Sequence, residues 1–183
     1  MTTPIIKNTI LGTAFADTYI GQNGSDQIAG QDGDDIIKGG GGSDLLLGGE
    51  GADNIDGGTG QDFLYGGRGN DILAGGAGGD WLSGDQGADS LKGGAGADVF
   101  FFNGKTAGVD GSDTILDFNS SQGDTLSFGK FAGSTSLSFQ QAGNNVLVTS
   151  YSNAADPGTL IATVLSANSV DVQLHSSFGD FVV

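Results

Sequence analysis

Ten aspartates stand nine residues apart: Asp17, Asp26, Asp35, Asp44, Asp53, Asp62, Asp71, Asp80, Asp89 and Asp98. Each follows a glycine-rich run that opens on a glycine five residues earlier. Short carboxylates beside carbonyls that no side chain crowds make a set of hard oxygen donors. A hard cation of calcium's size takes about six to eight such oxygens at flexible geometry.

Cut from Gly12, residues 12–101 read GTAFADTYI, GQNGSDQIA, GQDGDDIIK, GGGGSDLLL, GGEGADNID, GGTGQDFLY, GGRGNDILA, GGAGGDWLS, GDQGADSLK and GGAGADVFF. Position one is always Gly, and position four is Gly except at Phe15. Position eight is always large and apolar, from Tyr19 through Ile28, Ile37, Leu46, Ile55, Leu64, Leu73, Leu82 and Leu91 to Phe100. Composition alone does not produce ten units in strict register. The pattern G-G-x-G-x-D-x-U-x is the calcium-binding nonapeptide of a parallel β-helix.

The elements that must hold these carboxylates follow from the same period. In each unit the glycines allow a turn with φ > 0, and the last three residues predict a short strand. Position eight points inward and positions seven and nine outward, because side chains alternate along a strand. One unit cannot bury its own apolar face, so two units make a coil of about 18 residues and the coils stack. The expected fold class is all-β: a right-handed parallel β-roll of two parallel sheets, capped by a C-terminal antiparallel β segment. Stacking places each unit beneath the next but one, so Asp26 with Asp44, or Asp53 with Asp71, would share an ion. After a break of register, GVDGSDTIL at 108–116 is one degenerate unit, with Asp113 in the aspartate position and Asp117 just beyond. The expected organisation is an N-terminal edge over 1–11, the roll over 12–118 and a β cap over 119–183. Within that cap DTLSF, SLSFQQ, NVLVTSY and GTLIATVLS alternate as antiparallel strands do.

Odd and even units fall on opposite sheets, whose outer faces differ. The even sheet turns Leu45, Leu47, Phe63, Tyr65, Trp81, Val99 and Phe101 outward. The odd sheet turns out Thr18, Ile36, Lys38, Asn54, Asp56, Ile72, Ser90 and Lys92. A contiguous apolar face is rarely left in water, so either the C-terminal third packs over it or a partner does. Trp81 and Tyr65 read as a sugar-stacking platform or as side chains beneath the cap.

Composition narrows the function. The net charge is −16, from 22 acidic and 6 basic residues, which argues against nucleic acid as partner. Cysteine is absent, so no disulfide or thiolate site exists and metal ions are the available staple. No stretch is long enough to span a bilayer, and MTTPIIKNTI lacks the marks of a cleaved secretory signal. His175 is the single histidine; G-x-S-x-G, H-E-x-x-H and a phosphate loop are absent, so no catalysis is expected.

Across roughly residues 12–118 these motifs resemble the RTX (repeats-in-toxin) family, including the R-modules of secreted alginate epimerases. The resemblance implies a calcium-loaded β-roll with about eight ions, and a ninth where Asp89 meets Asp113. It implies that each ion takes carbonyls from positions two and four of one loop and one and three of the next, beside the aspartates. Carried onto this chain, that pattern assigns Gln22 and Gly24, then Gln31 and Gly33, then Gly39, Gly40, Gly41 and Gly42. It continues with Gly48, Gly49, Glu50 and Gly51, with Gly57, Gly58, Thr59 and Gly60, and with Gly66, Gly67, Arg68 and Gly69. Gly75, Gly76, Ala77 and Gly78 follow, then Gly84 and Gln86, then Gly93 and Ala95. At its margins it reaches Gly30 and Asp32, Asp85 and Gly87, Gly108 and Asp110, and Asp117.

With extracellular-grade sites of Kd about 10⁻⁴ M, millimolar calcium stabilises the fold by roughly 1.4 kcal/mol per ion. At cytosolic calcium that contribution is close to nothing. The expectation is a secreted calcium-binding module, unfolded inside the cell and folded outside it. The resemblance implies export through type I machinery. The ending Asp180-Phe181-Val182-Val183 looks like the acidic-plus-apolar signal of some members, or is a final cap strand. The alternative function is a calcium-dependent binding module for a polysaccharide or cell-surface partner. It would need a basic track, and Lys38, Lys92 and Arg68 make a thin one.

Overall fold

The computed structural model describes residues 8–102, 112–128, 136–142, 145–151 and 159–165. The readings placed on residues 1–7, Gly108, Asp110, His175 and the Asp180–Val183 ending lie outside the described residues.

The described residues form strands and no helix, and the repeat block builds two parallel sheets. The even sheet stacks β1 (Asn8–Leu11), β3 (Asp26–Asp32), β5 (Leu45–Glu50), β7 (Phe63–Arg68), β9 (Trp81–Gln86), β11 (Val99–Phe102) and β13 (Thr125–Phe128) in that order. The odd sheet stacks β2 (Thr18–Ile20), β4 (Ile36–Gly41), β6 (Asn54–Thr59), β8 (Ile72–Ala77), β10 (Ser90–Ala95) and β12 (Asp113–Ile115). Leu46 pairs with Leu64 and Ile55 with Leu73, so each turn of the β-solenoid takes 18 residues through the repeat block.

Position eight makes the core. Every such side chain from Ile28 to Phe100 is fully buried, and Ile115 and Leu126 extend the column. Tyr19, in the first unit, is only partly buried because no described coil lies above it.

The strands are longer than the repeat predicts. A typical one, Leu45–Glu50, runs 6 residues, through position three of the next unit. The first two glycines therefore lie in the sheet rather than in a turn. Position two takes positive φ, as at Gly49 (φ 127), which lets the strand bend without leaving its ladder.

One expectation for the C-terminal third is corrected, and a second is not met by its described strands. DTLSF is not an antiparallel cap strand: its β13 pairs parallel with β11, Leu126 beside Phe100, and continues the even sheet. Nor do the described cap strands cross the even sheet's outer face. β14 (Ser136–Ala142), β15 (Asn145–Tyr151) and β16 (Thr159–Leu165) form an antiparallel meander, and β16 pairs parallel with β12. They lengthen the odd sheet instead. On the even outer face Phe63 stays 48% exposed. Trp81 leans onto Phe101, their ring centroids 5.0 Å apart.

Candidate metal centre

The aspartates form a continuous ladder along each sheet. Asp44 Oδ1 accepts the backbone N–H of Asp26 at 2.8 Å, and Asp62 Oδ1 accepts that of Asp44 at 2.8 Å. The same bond joins Asp17 to Asp35, Asp35 to Asp53, Asp53 to Asp71, Asp62 to Asp80, Asp71 to Asp89 and Asp80 to Asp98. Thus one carboxylate oxygen per tier fixes the step between coils.

The other oxygen has no such role. Oδ2 of Asp35, Asp44, Asp53, Asp62, Asp71, Asp80 and Asp98 is buried without a hydrogen-bond partner, as is Oδ1 of Asp26. Buried polar atoms are normally paired, and an unpaired buried charge is strongly destabilising. A column of them needs a partner that the protein's own donors do not supply.

The surroundings show what kind. A Cβ built on Gly57 would lie 2.6 Å from Asp62 Oδ2 and 2.6 Å from the Gly75 carbonyl oxygen. Carboxylate and carbonyl oxygens from successive tiers therefore converge on a space that any side chain at Gly57 would fill. Gly75 faces Asp80 Oδ2 and the Gly93 carbonyl in the same way. An unpaired carboxylate oxygen beside carbonyls, all hard donors, suits a divalent cation such as calcium. Among the described residues no group of three or more acidic, histidine or cysteine side chains comes together as a metal site. A cation here must draw on backbone carbonyls as well as on the ladder.

The carboxyl pKa values reflect the same situation. Burial, followed by neighbouring carboxylates, pushes Asp62 and Asp98 up to about 6 and Asp71 up to about 7. Backbone N–H donors pull in the opposite direction but do not win. Asp35, Asp44, Asp53 and Asp80 are also raised, with burial the leading cause. Asp17 is lowered instead, chiefly by hydrogen bonds from the side chains of Thr13 and Tyr19.

Of the predicted loop residues, those at positions one to three form the ends of the strands, and those at position four, such as Gly42 and Gly51, follow where the chain passes between sheets. Gly40, Gly42, Gly49, Gly51, Gly58, Gly60, Gly67, Gly69, Gly76, Gly78 and Gly87 all have positive φ. Gln31 (φ 83) and Asp85 (φ 68) hold the same conformation without being glycine. Asp32, Glu50, Arg68 and Gln86 align in one row, in which Arg68 Nη1 donates to Glu50 Oε1 at 2.7 Å. Asp117 stands apart from the ladder. Its two oxygens accept the N–H groups of Gly93 and Gly94, each at 2.9 Å.

One ladder member escaped the repeat. Asp124 is buried, and its Oδ1 accepts the N–H of Asp98 at 3.1 Å. Asp124 and Leu126 keep the D-x-U spacing, but Asn119 and Gln122 stand where positions one and four would be glycine. The surviving D-x-U is the signal that could have found it.

Comparison with known proteins agrees with this geometry. The family model for the RTX calcium-binding nonapeptide repeat, in 4 copies, matches residues 11–46, 47–82 and 74–104. The chain belongs to the RTX family. RTX repeats bind calcium, which accords with the aspartate ladder. Among solved structures, the RTX chain is similar to the extracellular lipase LipA from Serratia marcescens, with 20% identity and a TM-score of 0.36. That match covers 88% of this chain and 38% of the lipase, so the chain spans well under half of the lipase's length. It is also similar to the AlgE6R3 subunit of the Azotobacter vinelandii mannuronan C5-epimerase, with 24% identity and a TM-score of 0.34. That match covers 100% of this chain and 98% of the subunit. No curated protein matches the chain.

Proposed function

We propose that this RTX chain is a secreted module that folds on binding several calcium ions outside the cell, and that its folding supports type I export and extracellular stability. The observation that carries this reading is the column of buried carboxylate oxygens at Asp35, Asp44, Asp53, Asp62, Asp71 and Asp80, each without a protein donor and each close to the same glycine as a carbonyl of the next tier. Calcium would be held by the aspartates from Asp17 to Asp98, with Asp113 and at the margin Asp117, and by carbonyls of the intervening glycine loops such as Gly57 and Gly75. The bound ions supply positive charge and complete the coordination that the chain lacks. Without them the buried carboxylates oppose folding, so low-calcium compartments keep the chain open and passable through a channel. The proposed organisation is a roll over 12–118, continued in the even sheet by β13, with a cap beyond it. It assigns no catalytic residue.

A calcium titration followed by circular dichroism tests the proposal. The expected result is a cooperative coil-to-β transition, reversed by chelator, with magnesium a poor substitute because it sheds its water reluctantly. A chain that folds equally well in chelator or in magnesium would refute it.

The alternative, a binding module for an acidic polysaccharide, gains less support from the side chains. Arg68 faces Glu50 at 2.7 Å and Lys38 lies 4.0 Å from Asp56, so these basic groups already have acidic partners. Saturable binding to one member of a polysaccharide panel at millimolar calcium would favour that alternative.

A further inference from the structure

The ladder is not uniform. In its interior Asp35, Asp44, Asp53, Asp62, Asp71, Asp80 and Asp98 each have one oxygen on a backbone N–H and one with no hydrogen-bond partner. At the ends donors of the chain itself engage the carboxylate. Asp17 Oδ2 accepts from Thr13 N at 3.1 Å and from Thr13 Oγ1 at 2.6 Å, and the Tyr19 side chain adds a further hydrogen bond. Beside it, Gln31 Nε2 donates to the Gly12 carbonyl. Asp124 Oδ1 takes the N–H of Asp98, and its Oδ2 takes the N–H of Asn119 at 2.8 Å. Asp117 gives both oxygens to the Gly93 and Gly94 amides, at the point where the chain leaves the odd sheet. Asp26 is intermediate: its Oδ2 accepts the N–H of Gln22 at 2.8 Å and its Oδ1 is buried without a hydrogen-bond partner, while β1 still stacks beyond its strand in the even sheet.

The reason is geometric. An interior ion draws oxygens from the tier above and the tier below, but a terminal tier has a neighbour on one side only. Too few oxygens remain for a cation that wants about six to eight. The terminal carboxylate must then be satisfied by donors of the chain.

We infer that the ends of the roll are closed without metal: Asp17, Asp117 and Asp124 are sealing residues, and calcium resides only between the interior tiers. Thr13, Tyr19, Asn119 and the Gly93–Gly94 amides occupy the role that ions play elsewhere. This inference rests on the calcium reading above and sharpens it, since it removes Asp17 and Asp117 from the ligand set.

Native mass spectrometry of the full chain at saturating calcium counts the ions on the wild type and on Asp17→Asn, Asp117→Asn and Asp62→Asn. Asp17→Asn and Asp117→Asn should retain the wild-type count, whereas Asp62→Asn should lose at least one ion. The melting temperature, followed against calcium concentration, is the second readout. For Asp17→Asn the curve should shift down in parallel with the wild type; for Asp62→Asn its slope should fall. Where Asp117→Asn does not fold, Asp17→Asn decides the matter. Loss of an ion from Asp17→Asn equal to that from Asp62→Asn, or an equal fall in slope, would overturn the inference while leaving calcium binding intact. A wild type that carries no calcium at all would remove the underlying reading together with it.

Discussion

Two columns run the length of the roll, two residues apart in every unit, and they behave oppositely. The position-eight column, Ile28 to Phe100, is fully buried and stabilises the stack under any ionic condition. The position-six column, Asp26 to Asp98, is almost equally buried, yet it leaves carboxylate oxygens unpaired. One column makes a contribution that is always favourable but only one side chain thick. The other holds that fold hostage to a cation. A slender solenoid can therefore be switched by solution conditions in a way that a globular core of similar length is not.

The largest effect should come from the apolar column. Leu64→Ala, at full calcium, should cost about 2–5 kcal/mol in denaturant unfolding, because both neighbours, Leu46 and Leu82, are fixed by the ladder and cannot close the gap. A cost near zero would mean that the column is not the core.

Asp62→Ala is expected next, and its effect should depend on calcium. At millimolar calcium it should lose roughly 1.4 to 3 kcal/mol, the contribution of one or two ions, and raise the folding midpoint in a titration. In chelator it removes a buried carboxylate and should not destabilise the chain further. Equal losses in both conditions would erase the distinction between the columns.

Protons should imitate the cation weakly. The folded carboxyls of Asp62, Asp71 and Asp98 titrate at about 6, 7 and 6, above the ordinary 3.8, so the folded state binds protons more tightly than the unfolded. Their contribution to metal-free stability is fullest below the ordinary value and is lost as pH rises through about 6 to 7. Circular dichroism of the metal-free chain should show more β structure at about pH 5 than at about pH 8. The calcium midpoint should fall over the same rise in pH, since calcium needs the ionised carboxylate. An opposite trend in either would contradict the burial of the ladder.

The smallest effect concerns a backbone exception. Asp85 holds φ 68 where most units have glycine, and its Oδ1 accepts from Ser83 Oγ at 3.1 Å. Asp85→Gly should relieve strain of about 1 kcal/mol, offset in part by the lost bond to Ser83. A modest rise in melting temperature is expected; a clear fall would show that Asp85 is needed for something other than its turn.

The period made most of this visible in the sequence. Asp at position six and Leu or Ile at position eight specify coil length, strand direction, core and ladder together, because no other arrangement serves both columns. What stayed hidden depended on single side chains. Asp124 joins the ladder although Asn119 and Gln122 replace its glycines, since tertiary pairing with β11 compensates for the lost turn residues. Asp17 keeps the aspartate position although Phe15 replaces the glycine at position four, and Thr13, at position two, changes its environment through one hydroxyl and one amide. The meander β14–β16 alternates as a cap should, but alternation says nothing about which sheet it will extend. The even sheet's outer aromatics were legible as residues, and their neighbours were not.

Crystals grown in calcium, with data collected at a wavelength where calcium scatters anomalously, would show whether ions fill the aspartate ladder. The account predicts a file of anomalous peaks between successive interior aspartates, for example between Asp44 and Asp62, on both edges of the roll. An intact solenoid with no peak anywhere along the ladder would contradict it.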